Sequence, residues 1–156
     1  MTIDRRLRIG ETVTLGSHTF TAEEIKAFAS KYDPQPFHLD EQAAERSVFR
    51  ALCASGWHTC ATWMKYNLKS LDRAETALWD AEHPRPEFGP SPGFENLKWL
   101  KPVYAGETIT FTRCAVSHRK LASRPGWSML RSVCAAFDST GDQVLSFENS
   151  VLVRLA

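Results

Sequence analysis

Asp33 and His38 stand five residues apart in the segment Asp33-Pro34-Gln35-Pro36-Phe37-His38, where two prolines stiffen the backbone. A carboxylate and an imidazole held together can divide acid and base work at neutral pH, one taking a proton while the other delivers one. A third element is Gly56, preceded by Ala54 and Ser55. A glycine at a helix start lets a ligand oxygen reach backbone N–H groups, where the helix dipole favours negative charge. Taken singly, each feature has an ordinary structural reading: an N-cap or loop hydrogen bond for the acid, a surface position for the histidine, close packing for the glycine. The histidines at 18, 38, 58, 83 and 118 lack the close spacing of zinc or iron ligands, so no metal is expected. Cys53, Cys60, Cys114 and Cys134 form no CxxC pair. Cys53 and Cys60 would lie about 10 Å apart on a helix, too far to bridge, so buried reduced thiols are expected.

The elements that must hold these residues follow from hydrophobic period and punctuation. Glu11 to Phe20 alternates as a strand. Thr21 can cap a helix through the Glu24 amide while Phe20 staples onto Ile25, and Pro34 stops that helix near Tyr32. Asp33 to His38 reads as an extended loop, and a short helix from Asp40 to about Ser47 follows. Leu52, Cys53, Gly56, Cys60, Trp63, Met64, Asn67, Leu68 and Leu71 recur near helical spacing, apolar or small nearly all round until Lys65. That pattern predicts a long buried helix. Thr76 to Gly93, with four prolines, reads as an irregular excursion. From Phe94 the period changes to two: a strand at 96–100, a turn at 101–106, a strand at 108–118, a turn at 119–126, a strand at 127–138, and the hairpin turn Ser139-Thr140-Gly141-Asp142. In the last strand Leu145, Phe147, Val151, Val153 and Leu155 share one face, with Asn149 as a polar intruder, so one face should be buried and one wet. The order describes an α+β domain with one long helix packed on an antiparallel sheet.

A chain of 156 residues fits one domain over 1–156 with a sizeable core. Nineteen basic against eighteen acidic side chains give a net charge of +1, without the basic signature of a nucleic-acid binder. The longest uncharged stretch, Ala51 to Trp63, is too short to span a bilayer. Residues 1–10 carry Asp4, Arg5, Arg6 and Arg8 with no apolar run behind them, which is no signal peptide, so a cytoplasmic location is expected.

DPQPFHLDEQAA, followed after eleven residues by GWHT, resembles the D-x-N-P-x-H-x-D loop, alanine pair and glycine-centred turn of the MaoC-like dehydratase family, the hydratase-2 branch of the hotdog fold. NLKWLKPVYAGETI resembles that family's P-V-x-x-G-[DE]-T strand-turn, and FDSTGDQVLSFENSVLVRL its closing hairpin, so the resemblance runs from about Gly10 to Leu155. It implies a single hotdog domain, an antiparallel sheet wrapped around a long central helix. It also implies an acyl-CoA hydratase/dehydratase in which Asp33 and His38 add water across, or remove it from, the double bond of a 2-enoyl thioester. Asp33 is then the base on water, His38 shares the proton for the α-carbon, and the Gly56 amide receives the enolate oxygen. No cofactor is implied beyond coenzyme A as part of the substrate.

Further candidate substrate contacts are Gln35, Ser55, Trp57, Arg119, Lys120 and Arg124. The three basic residues suit coenzyme A phosphates, although a solvated strand connection is the plainer reading. Gln35 replaces the family's usual Asn, and Met64 falls near a position where some family hydratases carry a hydroxyl, which Thr59 or Thr62 could supply. Trp57 and His58 point to an acyl pocket narrower or more polar than one for long fatty chains. A hotdog acyl-CoA thioesterase and a non-catalytic acyl-CoA-binding subunit are the alternatives. One sheet around one helix leaves strand edges to cover, so a homodimer, or a higher oligomer of dimers, with sites near the interface is expected.

Overall fold

In the computed structural model, which describes residues 2–73 and 81–155, the site-bearing segments hang on two helices and one sheet. A first turn, α1 (Ile3–Arg6), leads into β1 (Thr12–Thr19). Helix α2 (Ala22–Tyr32) begins as its capping residues predict, the Glu24 N–H donating to Thr21 Oγ1 at 3.2 Å. It ends at Asp33, whose N–H donates to the Ala29 carbonyl at 2.9 Å before Pro34 forbids another turn.

The segment expected to be wholly extended contains one helical turn, α3 (Pro36–Leu39), with Pro36 in its first turn. Proline is tolerated there because its missing N–H has no helical partner to lose. Helix α4 (Glu41–Glu45) is shorter than expected and is capped by Asp40, which accepts from the Ala43 N–H at 2.8 Å. Leu52 to Ser55 is extended rather than helical: Cys53 bridges Tyr104, and the Ala54 N–H donates to the Val103 carbonyl at 2.8 Å. The long helix α5 (Gly56–Arg73) therefore starts at the glycine.

Of the irregular excursion, residues 76–80 lie outside the described residues, and 81–93 includes the short strand β2 (Glu87–Phe88). Strands β3 (Gly93–Trp99), β4 (Thr108–Lys120), β5 (Trp127–Phe137) and β6 (Gln143–Arg154) complete one antiparallel sheet in the order β1-β4-β5-β6-β2, with β3 also paired to β6. The start of β6 departs from the expected single wet face. Val144 and Leu145, successive residues on opposite faces, are both buried, and the Leu100 N–H bonds the Val144 carbonyl at 2.9 Å.

Helix α5 packs on the sheet through Trp63, which is fully buried and donates its indole N–H to the Thr112 carbonyl at 3.0 Å. Phe20, Ile25, Ile109, Phe111 and Leu145 complete the centre of the core. Each such side chain contributes roughly 1.5–3 kcal/mol by leaving water. The helix is not buried all round as its pattern suggested: Trp57, Met64 and Leu68 form an apolar stripe that stays about half exposed. No helix among the described residues is long and apolar enough to cross a membrane.

Candidate active site

Asp33 terminates α2 and His38 sits on α3, so the two helix ends set their separation. The His38 Nδ1 lies 2.6 Å from the Cys53 carbonyl oxygen. A carbonyl only accepts, so Nδ1 carries the hydrogen, and in the neutral ring Nε2 is left as an acceptor. Nε2 faces Asp33 Oδ2 at 3.4 Å, longer than the usual N–H···O bond. The other carboxylate oxygen, Oδ1, accepts from the Gln35 side-chain amide at 2.7 Å, and the Gln35 N–H donates to the Asp33 carbonyl at 2.7 Å. Gln35, a candidate substrate contact in the sequence, thus turns its amide onto Asp33. Oδ2 and Nε2 are the atoms of the pair left facing the cleft, close enough for one small molecule beside them to hydrogen-bond both. Burial pushes the neighbouring Cys53 thiol up to about 11, so it stays protonated and supplies no thiolate.

Ser55 is fully buried, and its hydroxyl accepts the Trp57 N–H at 3.3 Å while its carbonyl takes the His58 N–H at 2.9 Å. It caps α5 from beneath the cleft instead of reaching into it. The Gly56 N–H, first of the helix, has no acceptor among the described residues. Gly56 also answers a packing demand, because a Cβ there would lie 2.3 Å from Cε2 of the Trp99 indole. Trp57 stands edge-on to Trp99 with ring centroids 5.0 Å apart.

These residues edge a cleft of about 410 Å³. Asp33, Gln35, His38, Thr59 and Lys101 supply its polar groups, while Phe37, Phe49, Trp57 and Trp99 form much of its wall. Of the two threonines that could replace a hydroxyl at position 64, Thr59 lines the cleft; the Thr62 hydroxyl instead donates to the His58 carbonyl at 2.8 Å. His58 is buried, stacked on Phe28 at 4.6 Å, and burial holds its pKa below the usual histidine value. It belongs to the core and does not line the cleft.

At the cleft wall Lys101 is bound by Asp138 at 2.7 Å and Asp142 at 3.0 Å. The hydrogen bond from Lys101, with those of Thr140, holds the Asp138 carboxyl well below the usual carboxylate range. Arg119 and Lys120 end β4, and Arg124 lies in the turn after it, whereas the other end of the strand adjoins the cleft segment through Val103. A thirteen-residue strand is roughly 40 Å long, so none of the three lines the cleft of its own chain. Sequence reading missed the Cys53 carbonyl, Trp99 and Lys101. Trp99 and Lys101 lie in the recognised strand-turn, while a backbone carbonyl leaves no signal in residue type.

The fold and this loop define a family, and the chain belongs to it: the MaoC like domain model matches residues 5–124. The antiparallel sheet around α5 is the hotdog fold. The chain is similar to the MaoC-like dehydratase from Rhodospirillum rubrum, with 30% identity and a TM-score of 0.78 over 95% of this chain and 93% of that one. It is also similar to the (R)-hydratase from A. caviae involved in PHA biosynthesis, with 19% identity and a TM-score of 0.65 over 95% and 96% of the two chains. The uncharacterized protein YdeM of Bacillus subtilis (strain 168) is 24% identical over 146 residues, 94% of each chain.

Proposed function

We propose that this chain is an acyl-CoA hydratase/dehydratase acting on a 2-enoyl or 3-hydroxyacyl thioester, with Asp33 and His38 as its catalytic residues. The observation that carries the reading is the approach of His38 Nε2 to Asp33 Oδ2, 3.4 Å, at the edge of the cleft, with the other atoms of the pair already tied, Asp33 by Gln35 and His38 by the Cys53 carbonyl. A water lying beside the pair on the cleft side, donating one hydrogen to Asp33 and the other to His38, keeps a lone pair free to attack. Its oxygen bonds to the β-carbon, Asp33 takes its proton, and the double-bond electrons move onto the thioester oxygen, which the Gly56 N–H meets. The enolate then collapses, and the Asp33/His38 pair returns the proton to the α-carbon. Water has been added and both residues are restored, and the same steps reversed give dehydration. A placed acid or base contributes roughly 10²–10⁴-fold, and an oxyanion donor about 3–4 kcal/mol. Hydration is redox-neutral, and coenzyme A enters as part of the substrate.

The working unit in this reading is a homodimer. Among the described residues β3 pairs only with β6, and it carries the exposed Phe94 and Trp99 beside the apolar stripe of α5. An unpaired apolar edge of this kind is ordinarily covered. The assay that tests the function incubates the wild-type protein with crotonyl-CoA and follows both the enoyl absorbance and free thiol. Loss of absorbance with the thioester intact supports the proposal. Thiol release would make the chain a thioesterase, and binding with neither change would make it a non-catalytic acyl-CoA-binding subunit.

A further inference from the structure

Beside the cleft, α5 and β3 flank a second space, an apolar groove of about 320 Å³ open to the surface and lined by Cys60, Met64, Phe94, Leu97 and Phe147. Trp57 lines both spaces. Trp99 stands between them: the fused bond of its indole lies against Gly56, at the cleft, while its ring N–H is directed at the thiol of Cys60, one helical turn further on and in the groove. With Trp57 edge-on against it, the indole pair lies where the cleft and the groove adjoin. We infer that the Trp57–Trp99 pair is the end wall of the acyl site, so that the chain takes short 2-enoyl thioesters, and that Trp99 shuts off acyl space behind it. The inference rests on the hydratase reading of the Asp33/His38 cleft.

Two features favour an acyl tail as what this groove would hold once joined to the cleft. It adjoins the candidate site through a shared tryptophan, and the side chains named above offer a tail no charged group. Trp99 is also a suitable wall to remove. It is half exposed on an edge strand, so its truncation takes little from the central core. One methylene in an apolar pocket changes specificity by roughly 10–200-fold, so a wall that excludes several methylenes dominates chain-length choice.

The experiment measures binding of butyryl-CoA and octanoyl-CoA by calorimetry, and hydration of crotonyl-CoA and 2-octenoyl-CoA by absorbance, for the wild type, Trp99→Ala and Trp99→Leu. The wild type should favour the short chain by at least about 10-fold, and either variant should move the long-to-short ratio by about 10-fold or more in both binding and turnover. Trp99→Leu serves if Trp99→Ala does not fold. An unchanged ratio with short-chain binding retained overturns the wall and leaves the hydratase reading standing. A shifted binding ratio without hydration of either enoyl thioester by the wild type keeps the wall and overturns the hydratase reading. A wild type that binds neither thioester overturns both.

Discussion

His38 turns Nε2 toward Asp33 because the Cys53 carbonyl holds the hydrogen on Nδ1, and Asp33 keeps Oδ2 toward His38 because Gln35 holds Oδ1. The pair thus depends on two partners of different kinds. Gln35→Ala should lower kcat on an enoyl thioester by about 10-fold or more with KM little changed, since a hydrogen bond to a charged group is worth roughly 1.5–3 kcal/mol. Steady-state kinetics check this, and a rise in KM alone would instead return Gln35 to substrate binding. Asp33 and His38 could be found from the sequence because acid–base chemistry demands those side chains and the prolines mark their loop. The helical turn under His38 and the direction of the Gln35 amide could not, because both depend on where Cys53 and Asp33 come to rest in the fold.

At the scale of elements, the start of α5 and the Trp99–Val103 segment lock together at Gly56, and this segment is tied to the β5–β6 turn through Lys101. Gly56→Ala should destabilise the fold by about 1–3 kcal/mol in urea melts, because the new methyl meets the indole. In a Trp99→Ala background the same change should be nearly neutral, and additive losses would contradict the contact. Asp138 has a depressed carboxyl pKa, so its contribution to stability is present above the ordinary aspartate value of about 3.9 and is lost as pH falls through its lower folded value. Thermal melts should show the wild type ahead of Asp138→Asn at pH 7, with the difference shrinking only below pH ~4. A constant difference down to pH ~2 would assign the effect to packing instead. Element order was largely readable, since the capping residues of α2 and the two-residue period of β4 to β6 are local signals. The burial of α5 was misread for a physical reason: an apolar stripe looks the same whether it faces the chain's own sheet or lies open, as it does at Met64 and Leu68.

For the whole molecule, a near-neutral chain with an exposed aromatic edge strand suits self-association better than an electrostatic partner. Light scattering should give twice the chain mass. Phe94→Asp, which puts a charge on the exposed face of β3, should shift the population toward monomer, and a wild type that is monomeric at micromolar concentration would remove the homodimer. Pairing of this kind leaves only indirect marks in a sequence, because the contact that completes it belongs to another copy.

The Asp33/His38 pair carries the proposed chemistry, and turnover of crotonyl-CoA by the wild type, Asp33→Asn and His38→Ala tests it. Hydration by the wild type and a loss of at least about 10²-fold in each variant, with circular dichroism unchanged, is the expected result. Turnover retained in both folded variants would contradict it.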